Sequence, residues 1–138
     1  MLHFVFAKLG ISRVGIISPF IEEILCRGIL QNSLSFAQKK MRSHMPSCLQ
    51  GRITNWMTSP QARILAVNAV FGAMHLGNAG GYLSTREAIS QAVRHMIFSL
   101  EAGIYETTDS LAAPFALHAA NNTLVYLLGC SLSSKKRF

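Results

Sequence analysis

Ile17-Ser18-Pro19-Phe20-Ile21-Glu22-Glu23-Ile24-Leu25-Cys26-Arg27-Gly28-Ile29-Leu30 is an apolar run interrupted by three charges. An ionised side chain in such a setting is costly unless it pairs or serves chemistry. Glu23 and Arg27 are four residues apart and share a helix face, so their simplest reading is a structural ion pair. Glu22 precedes Arg27 by five, which places it about 140° away at about 100° per residue. It points elsewhere, and no basic residue lies near it on its own face. The fold and the function therefore turn on what the rest of the chain brings to Glu22.

The chain has 138 residues, the size of one domain. Half of them are hydrophobic and 14% are charged, against about 25% charged in a typical soluble domain. Mean hydropathy is +0.31. The formal net charge is +7, but its layout argues against a nucleic-acid partner. Lys39, Lys40, Arg42 and Arg52 stand between apolar segments, and Lys135, Lys136 and Arg137 close the chain. Basic residues flanking apolar spans follow the positive-inside rule, and no nucleic-acid-binding motif is present. Cys26, Cys48 and Cys130 form no CxxC pair and read as free thiols. Lys8 and Arg13 interrupt the first apolar residues, and no small-x-small cleavage site follows, so the start does not read as a signal peptide.

Four apolar segments are legible. The first runs from about Val14 to Phe36, and a basic loop over about 39–60, with Pro46, Gly51 and Pro60, follows it. The second starts near Gln61 and ends at Gly77, Gly80 and Gly81. The third, about Thr85 to Glu106, repeats apolar residues at helical spacing, with Ala88, Ala92 and Met96 on one row and Ile89, Val93, Ile97, Leu100 and Ile104 on the next. Arg86, Glu87, Arg94, His95, Glu101 and Glu106 make it the least membrane-like. The fourth, Leu111 to about Leu132, is uncharged and long enough for a bilayer, which takes about 20 residues. The expectation is an all-α, multi-pass membrane bundle of about four helices around a polar centre. It forms one domain over 1–138, with its core at about 14–130 and a basic tail at 133–138. If segments two to four all cross, the basic loop and the basic tail lie on opposite faces. One segment is then re-entrant or interfacial, or the charge rule fails at the weaker end.

Three segments carry polar groups at similar depth. Phe71 and His75 share a face of the second, and His118 and Asn122 share a face of the fourth, beside Asn121. A carboxylate, two imidazoles and an amide suffice to activate water and to stabilise an oxyanion. Two histidines and a carboxylate (Glu22, His75 and His118) also match a zinc site with one open position. The bland alternatives are an interior histidine with satisfied nitrogens, a Phe71 that only packs, and His118 and Asn122 as interhelical glue. His3, His44 and His95 read as loop or flank residues without a role.

These elements resemble the motifs of the CAAX prenyl-protease and bacteriocin-processing family, the CPBP or Abi intramembrane proteases. EExxxR corresponds to Glu22-Glu23-Ile24-Leu25-Cys26-Arg27, FxxxH to Phe71-Gly72-Ala73-Met74-His75, and HxxxN to His118-Ala119-Ala120-Asn121-Asn122 after Ser110-Leu111-Ala112-Ala113-Pro114. The resemblance implies a membrane endopeptidase in which Glu22 is the water-activating base. His75, His118 and Asn122 complete the catalytic set, and Glu23, Arg27 and Phe71 support it. It implies a membrane-associated peptide or protein substrate, the bilayer as surroundings (the inner membrane in a bacterium) and no resident cofactor. Zinc on Glu22, His75 and His118 is the metal-dependent alternative, although no HExxH motif is present. Family members usually carry further membrane helices before the first motif, so this chain reads as the catalytic half. Its outer faces then need cover from lipid or a second copy. A non-catalytic relative acting in bacteriocin immunity or as a membrane scaffold is the rival within the family. A soluble basic binding module is the rival outside it.

Overall fold

The opening stretch forms the spine of the molecule. In the structure, a computed structural model, residues 10–79, 83–98 and 100–134 are described. His3, Gly80, Gly81 and the basic residues Lys135, Lys136 and Arg137 lie outside them.

The spine, α1 (residues 13–44), is one helical rod made of four pieces. Arg13–Ile17 and Ile24–Gln31 are π-helical, and Ser18–Glu23 and Asn32–His44 are α-helical. The residues at the junctions, Ser18, Ile24 and Asn32, keep right-handed helical dihedrals, so the rod does not break. The cause of the wide turns is visible in what the rod buries. Gly15, Pro19, Glu23, Arg27 and Gln31 are all buried, at a strict spacing of four. In a pure α-helix each step of four drifts by about 40°, and the stripe would wander by about 160° over its length. The wider π turns offset this drift and keep the stripe on one face. Pro19 adds a local reason. It has no N–H to continue the ladder, and the Ser18 N–H before it bonds back to the Arg13 carbonyl in the π pattern.

The expected basic loop is helical for much of its length. α1 continues through Lys39 and Lys40 to His44, a 3-10 turn covers Ser47–Leu49, and α2 spans Arg52–Met57. Pro60 opens α3 (Pro60–Met74) rather than marking loop, because Ser59 caps it by accepting the Ala62 N–H at 3.2 Å. α3 ends in a 3-10 turn over His75–Asn78. The expected third segment is two helices, α4 (Thr85–Phe98) and α5 (Glu101–Thr108). A capping box starts α4, with the Ser84 N–H and hydroxyl both donating to Glu87 at 2.9 and 2.7 Å. Asp109, in the left-handed region at φ 50°, ends α5. α6 (Ala112–Ser134) closes the described chain.

The helices pack as a bundle around α1. α3 lies against the π-helical centre of α1 and against α4, while α6 lies against the N-terminal part of α1 and against α5. Two glycines set the closest approaches. A β-carbon on Gly15 would stand 2.6 Å from Thr123 Oγ1, and one on Gly72 would stand 2.6 Å from the Ala92 carbonyl oxygen and collide with Met96. Of the two helical rows expected on α4, Ala88 and Ala92 are buried, while Ile89 and Val93 are exposed.

The interior is small and polar. Cys26, Val67, Phe71 and Ala102 form its apolar cluster, whereas Glu23, Arg27, Gln31, Arg63, Asn68, His75, Glu101 and His118 are all buried. The outside carries many large apolar side chains, Ile16, Phe20, Ile29, Leu65, Ile89 and Leu128 among them, together with exposed charges such as Arg13, Lys39, Lys40, Arg42, Arg52, Arg86 and Arg94. Among the described residues no helix is long and apolar enough to cross a membrane. The residues that interrupt the apolar run of α1 and α6 include Glu23, Arg27 and His118, which face inward.

Candidate active site

Glu22 sits on the α1 rod with two imidazoles in front of it. Its Oε2 stands 3.6 Å from His118 Nε2 and 3.9 Å from His75 Nε2. That oxygen is shielded from solvent and has no hydrogen bond within the protein, although the Glu22 side chain as a whole is 25% exposed. The backbone fixes the His75 ring. Its Nδ1 is 2.8 Å from the Phe71 carbonyl, which can only accept, so Nδ1 carries the proton. In the neutral ring Nε2 then presents a lone pair toward Glu22. His118 is fixed in the same sense by Glu23, with its Nδ1 2.8 Å from Glu23 Oε1.

The neighbouring carboxylate has a different task. Glu23 is 1% exposed and is shared between His118 and Arg27, whose Nε stands 3.2 Å from Glu23 Oε2. Arg27 also reaches toward α5, with Nη2 3.8 Å from Glu101 Oε2. Its guanidinium lies 4.7 Å above the centre of the Phe71 ring, in cation–π position. Phe71 is therefore a hub. Beyond Arg27 on its face, it meets the rings of His75, His95 and His118 edge to face, at 4.9, 4.9 and 5.5 Å. A residue expected only to support the site positions three imidazoles at once.

His95 was given no role by its sequence position, and the structure brings it into the centre. Its ring stacks on His75 at 4.1 Å with an interplanar angle of 22°. Gly72 makes this contact possible, since any side chain there would hold α4 away from α3. Glu101 is the other residue missed. A charge at helical spacing in a mixed segment gives no sign that the helix breaks just before it and turns it onto Arg27.

Asn122 makes its hydrogen bond to α1. Its amide Nδ2 donates to the Val14 carbonyl at 3.3 Å. The reason lies in the backbone of α1. Ser18 gives its N–H to Arg13, and Pro19 has none, so the Val14 carbonyl lacks an intrahelical donor that Asn122 replaces. Asn122 and Asn121 also line a cavity of about 360 Å³ together with Gln91, Arg94, His95 and Glu101. His95 therefore has one surface toward His75 and another toward this cavity.

The arrangement supports proton transfer. A water molecule meeting Glu22 Oε2 has a carboxylate to take its proton and two Nε2 atoms close by. Among the described residues no group of three or more His, Cys, Asp or Glu is arranged to hold a metal ion.

By fold and site, the chain falls in the class of all-helical proteins with an internal carboxylate–imidazole centre. It matches the model of the family described as Type II CAAX prenyl endopeptidase Rce1-like over residues 4–124, and it belongs to that family of proteases. No curated protein and no solved structure matches it.

Proposed function

We propose that the protein is a membrane-embedded endopeptidase of the CAAX-protease type that hydrolyses a peptide bond with water activated by Glu22. The observation that carries this reading is the position of Glu22 Oε2 between the Nε2 atoms of His75 and His118. Glu22 takes a proton from water as the water oxygen attacks the scissile carbonyl, and returns it to the leaving amine. His75, held by the Phe71 carbonyl, accepts a hydrogen bond at Nε2 and orients that water. His118, when protonated, donates Nδ1–H to Glu23 and directs Nε2–H at the developing oxyanion. Asn122 gives one N–H to Val14 and keeps its second for the substrate.

The membrane setting is supported by the inverted distribution of side chains. Glu23, Arg27, Gln31, Arg63, Asn68, His75, Glu101 and His118 are buried, and Ile16, Ile17, Phe20, Ile21, Leu124 and Leu128 face outward. In water such a surface is a liability, whereas in a bilayer it is the expected solvent-facing side and the polar centre is the functional exception. On this reading the apolar side chains on the outer faces of α1, α3 and α6 lie in lipid.

The test is hydrolysis of a membrane-anchored peptide ending in a prenylated CAAX sequence by the detergent-purified protein and by Glu22→Gln. Cleavage by the parent and loss in the variant, with thermal unfolding unchanged, supports the assignment. Equal rates remove Glu22 from the role of base.

A further inference from the structure

We propose that a second cavity, between the C-terminal end of α1 and the short helix α2, holds the phosphate of an anionic phospholipid, with Arg42 as its counter-charge. The proposal rests on the membrane setting of the protease reading. It adds a lipid site lined by no residue of the reacting centre.

Charge is the first argument. Between Glu23 and Glu87 the chain has no Asp or Glu, and Lys39, Lys40, Arg42 and Arg52 fall close together within that stretch. All four are exposed. Glu106, the carboxylate of the neighbouring cluster, is taken up by Arg63 and Gln31.

Local structure is the second argument. α1 ends at His44, and Met45 turns the chain with extended dihedrals. Gln38 fixes the returning α2 by donating to the Met57 and Ser59 carbonyls at 2.8 and 3.3 Å. The space between is about 200 Å³, lined by Arg42, Met45, Gln50, Thr54, Asn55 and Thr58. Ligand pockets run about 300–1,000 Å³, so this one suits a single phosphate group. Thr54 and Thr58 spend their hydroxyl hydrogens on backbone carbonyls, and Gln50 gives one amide hydrogen to Met45. The Arg42 guanidinium, the Asn55 amide and the second Gln50 N–H are the donors left for a ligand. No acidic group stands among the described residues that line the cavity. Such a set selects an anion, and a guanidinium meets phosphate through two parallel N–H bonds.

The other face of α2 selects the source of that phosphate. Ile53, Trp56 and Met57 share one face at steps of three and four, and each is at least half exposed. Thr54, Asn55 and Thr58 turn toward the cavity. A tryptophan and apolar neighbours beside a basic, polar face are the pattern of a helix lying in the membrane interface. There the apolar face enters the acyl region and the polar face meets the headgroups. A second copy of this chain, itself at net +7, would bring like charge to the same place. A nucleic acid would leave the apolar face in water. An anionic phospholipid answers both faces at once.

The experiment reads the sole tryptophan, Trp56. The full chain is reconstituted in vesicles of equimolar phosphatidylglycerol and phosphatidylcholine, with the acyl chains of one or the other lipid brominated to quench by contact. The expected result is an association of Trp56 with phosphatidylglycerol about fivefold above that with phosphatidylcholine, the worth of one basic residue near an anionic surface. Arg42→Gln should remove most of that excess and Arg42→Lys should restore part of it. Arg52→Gln, which removes the same charge from outside the cavity, should keep it. Equal quenching by the two lipids overturns the proposal, and so does an excess that Arg42→Gln and Arg52→Gln lower alike. Quenching by neither lipid, as when a second copy covers Trp56, overturns it as well. A Trp56 response to inorganic phosphate in detergent, without a lipid preference in vesicles, gives the cavity to a soluble phosphate instead. Peptide hydrolysis by the parent is measured in the same vesicles. Cleavage without the lipid excess sinks this proposal alone, and the excess without cleavage sinks the protease reading alone.

Discussion

Two charged clusters lie along α1, and they are built on opposite plans. In the one nearer its C-terminal end, Arg63 grips Glu106 through Nε, at 3.0 Å, and through Nη2, and it also donates to Gln38. Gln31 gives its amide to the same carboxylate at 2.9 Å and to the Ala102 carbonyl at 3.0 Å. The Arg63 and Gln31 donors are taken up by Glu106, Gln38 and the Ala102 carbonyl, and the cluster ties α1, α3 and α5 together. At Glu22 the separations are 3.6 and 3.9 Å, too long for direct hydrogen bonds, and the Oε2 atom that faces both imidazoles has no hydrogen bond. A closed network stabilises a fold, whereas an open one is reserved for a molecule not yet there. The first motif carries both plans on adjacent residues, since Glu23 is closed by Arg27 and His118 while Glu22 is left open.

The sharpest way to break this comparison is to change one member of each kind. Glu22→Gln is expected to lower kcat by about 10²–10⁴, the usual worth of a general base, with little change in the unfolding midpoint in detergent. Arg27→Ala should do the reverse at first order. It removes the guanidinium that stands between Glu23 and Glu101 in the interior, and removing one partner of a buried pair costs about 3–5 kcal/mol, read as a lowered midpoint in thermal or denaturant unfolding. If Arg27→Ala is as stable as the parent, the closed network is not what holds α5 to α1.

Arg63→Ala tests the second cluster. Glu106 is 21% exposed, so solvent compensates part of the loss, and a cost of about 1–2 kcal/mol is expected. Measured kcat should stay within about twofold of the parent. A large fall in kcat without unfolding would mean that this cluster also belongs to the chemistry. The smallest effect concerns Asn122. Asn122→Ala leaves the Val14 carbonyl without its donor and should cost about 1 kcal/mol. In a Pro19→Ala background the helix regains a backbone N–H, and the same substitution should cost less. Equal costs in the two backgrounds, in a double-mutant cycle, would show that Pro19 is not the origin of the Asn122 contact.

Much of this was legible in the sequence because helical spacing is a local property. The pairing of Glu23 with Arg27, the separate direction of Glu22 and the common face of Phe71 and His75 all follow from neighbours three to five apart on one helix. The buried row Ala88 and Ala92 was legible for the same reason, although its companion row, Ile89 and Val93, turned outward. The break between α4 and α5 was not legible, because the periodicity runs on through it. The helical content of 39–60 was hidden by basic residues that charge patterning assigns to a loop, although nothing in Lys39, Lys40 or Arg42 opposes a helix.

The sequence by itself determined an all-helical chain, its three motifs and the family to which they belong, since these need only residue types at fixed spacings. The tertiary structure alone decided which groups meet. It set His95 against His75 because Gly72 lets two helices approach, turned Glu101 onto Arg27, and gave Asn122 to a carbonyl that Pro19 cannot serve. Such contacts join residues tens of positions apart through helix packing, and no local spacing encodes them.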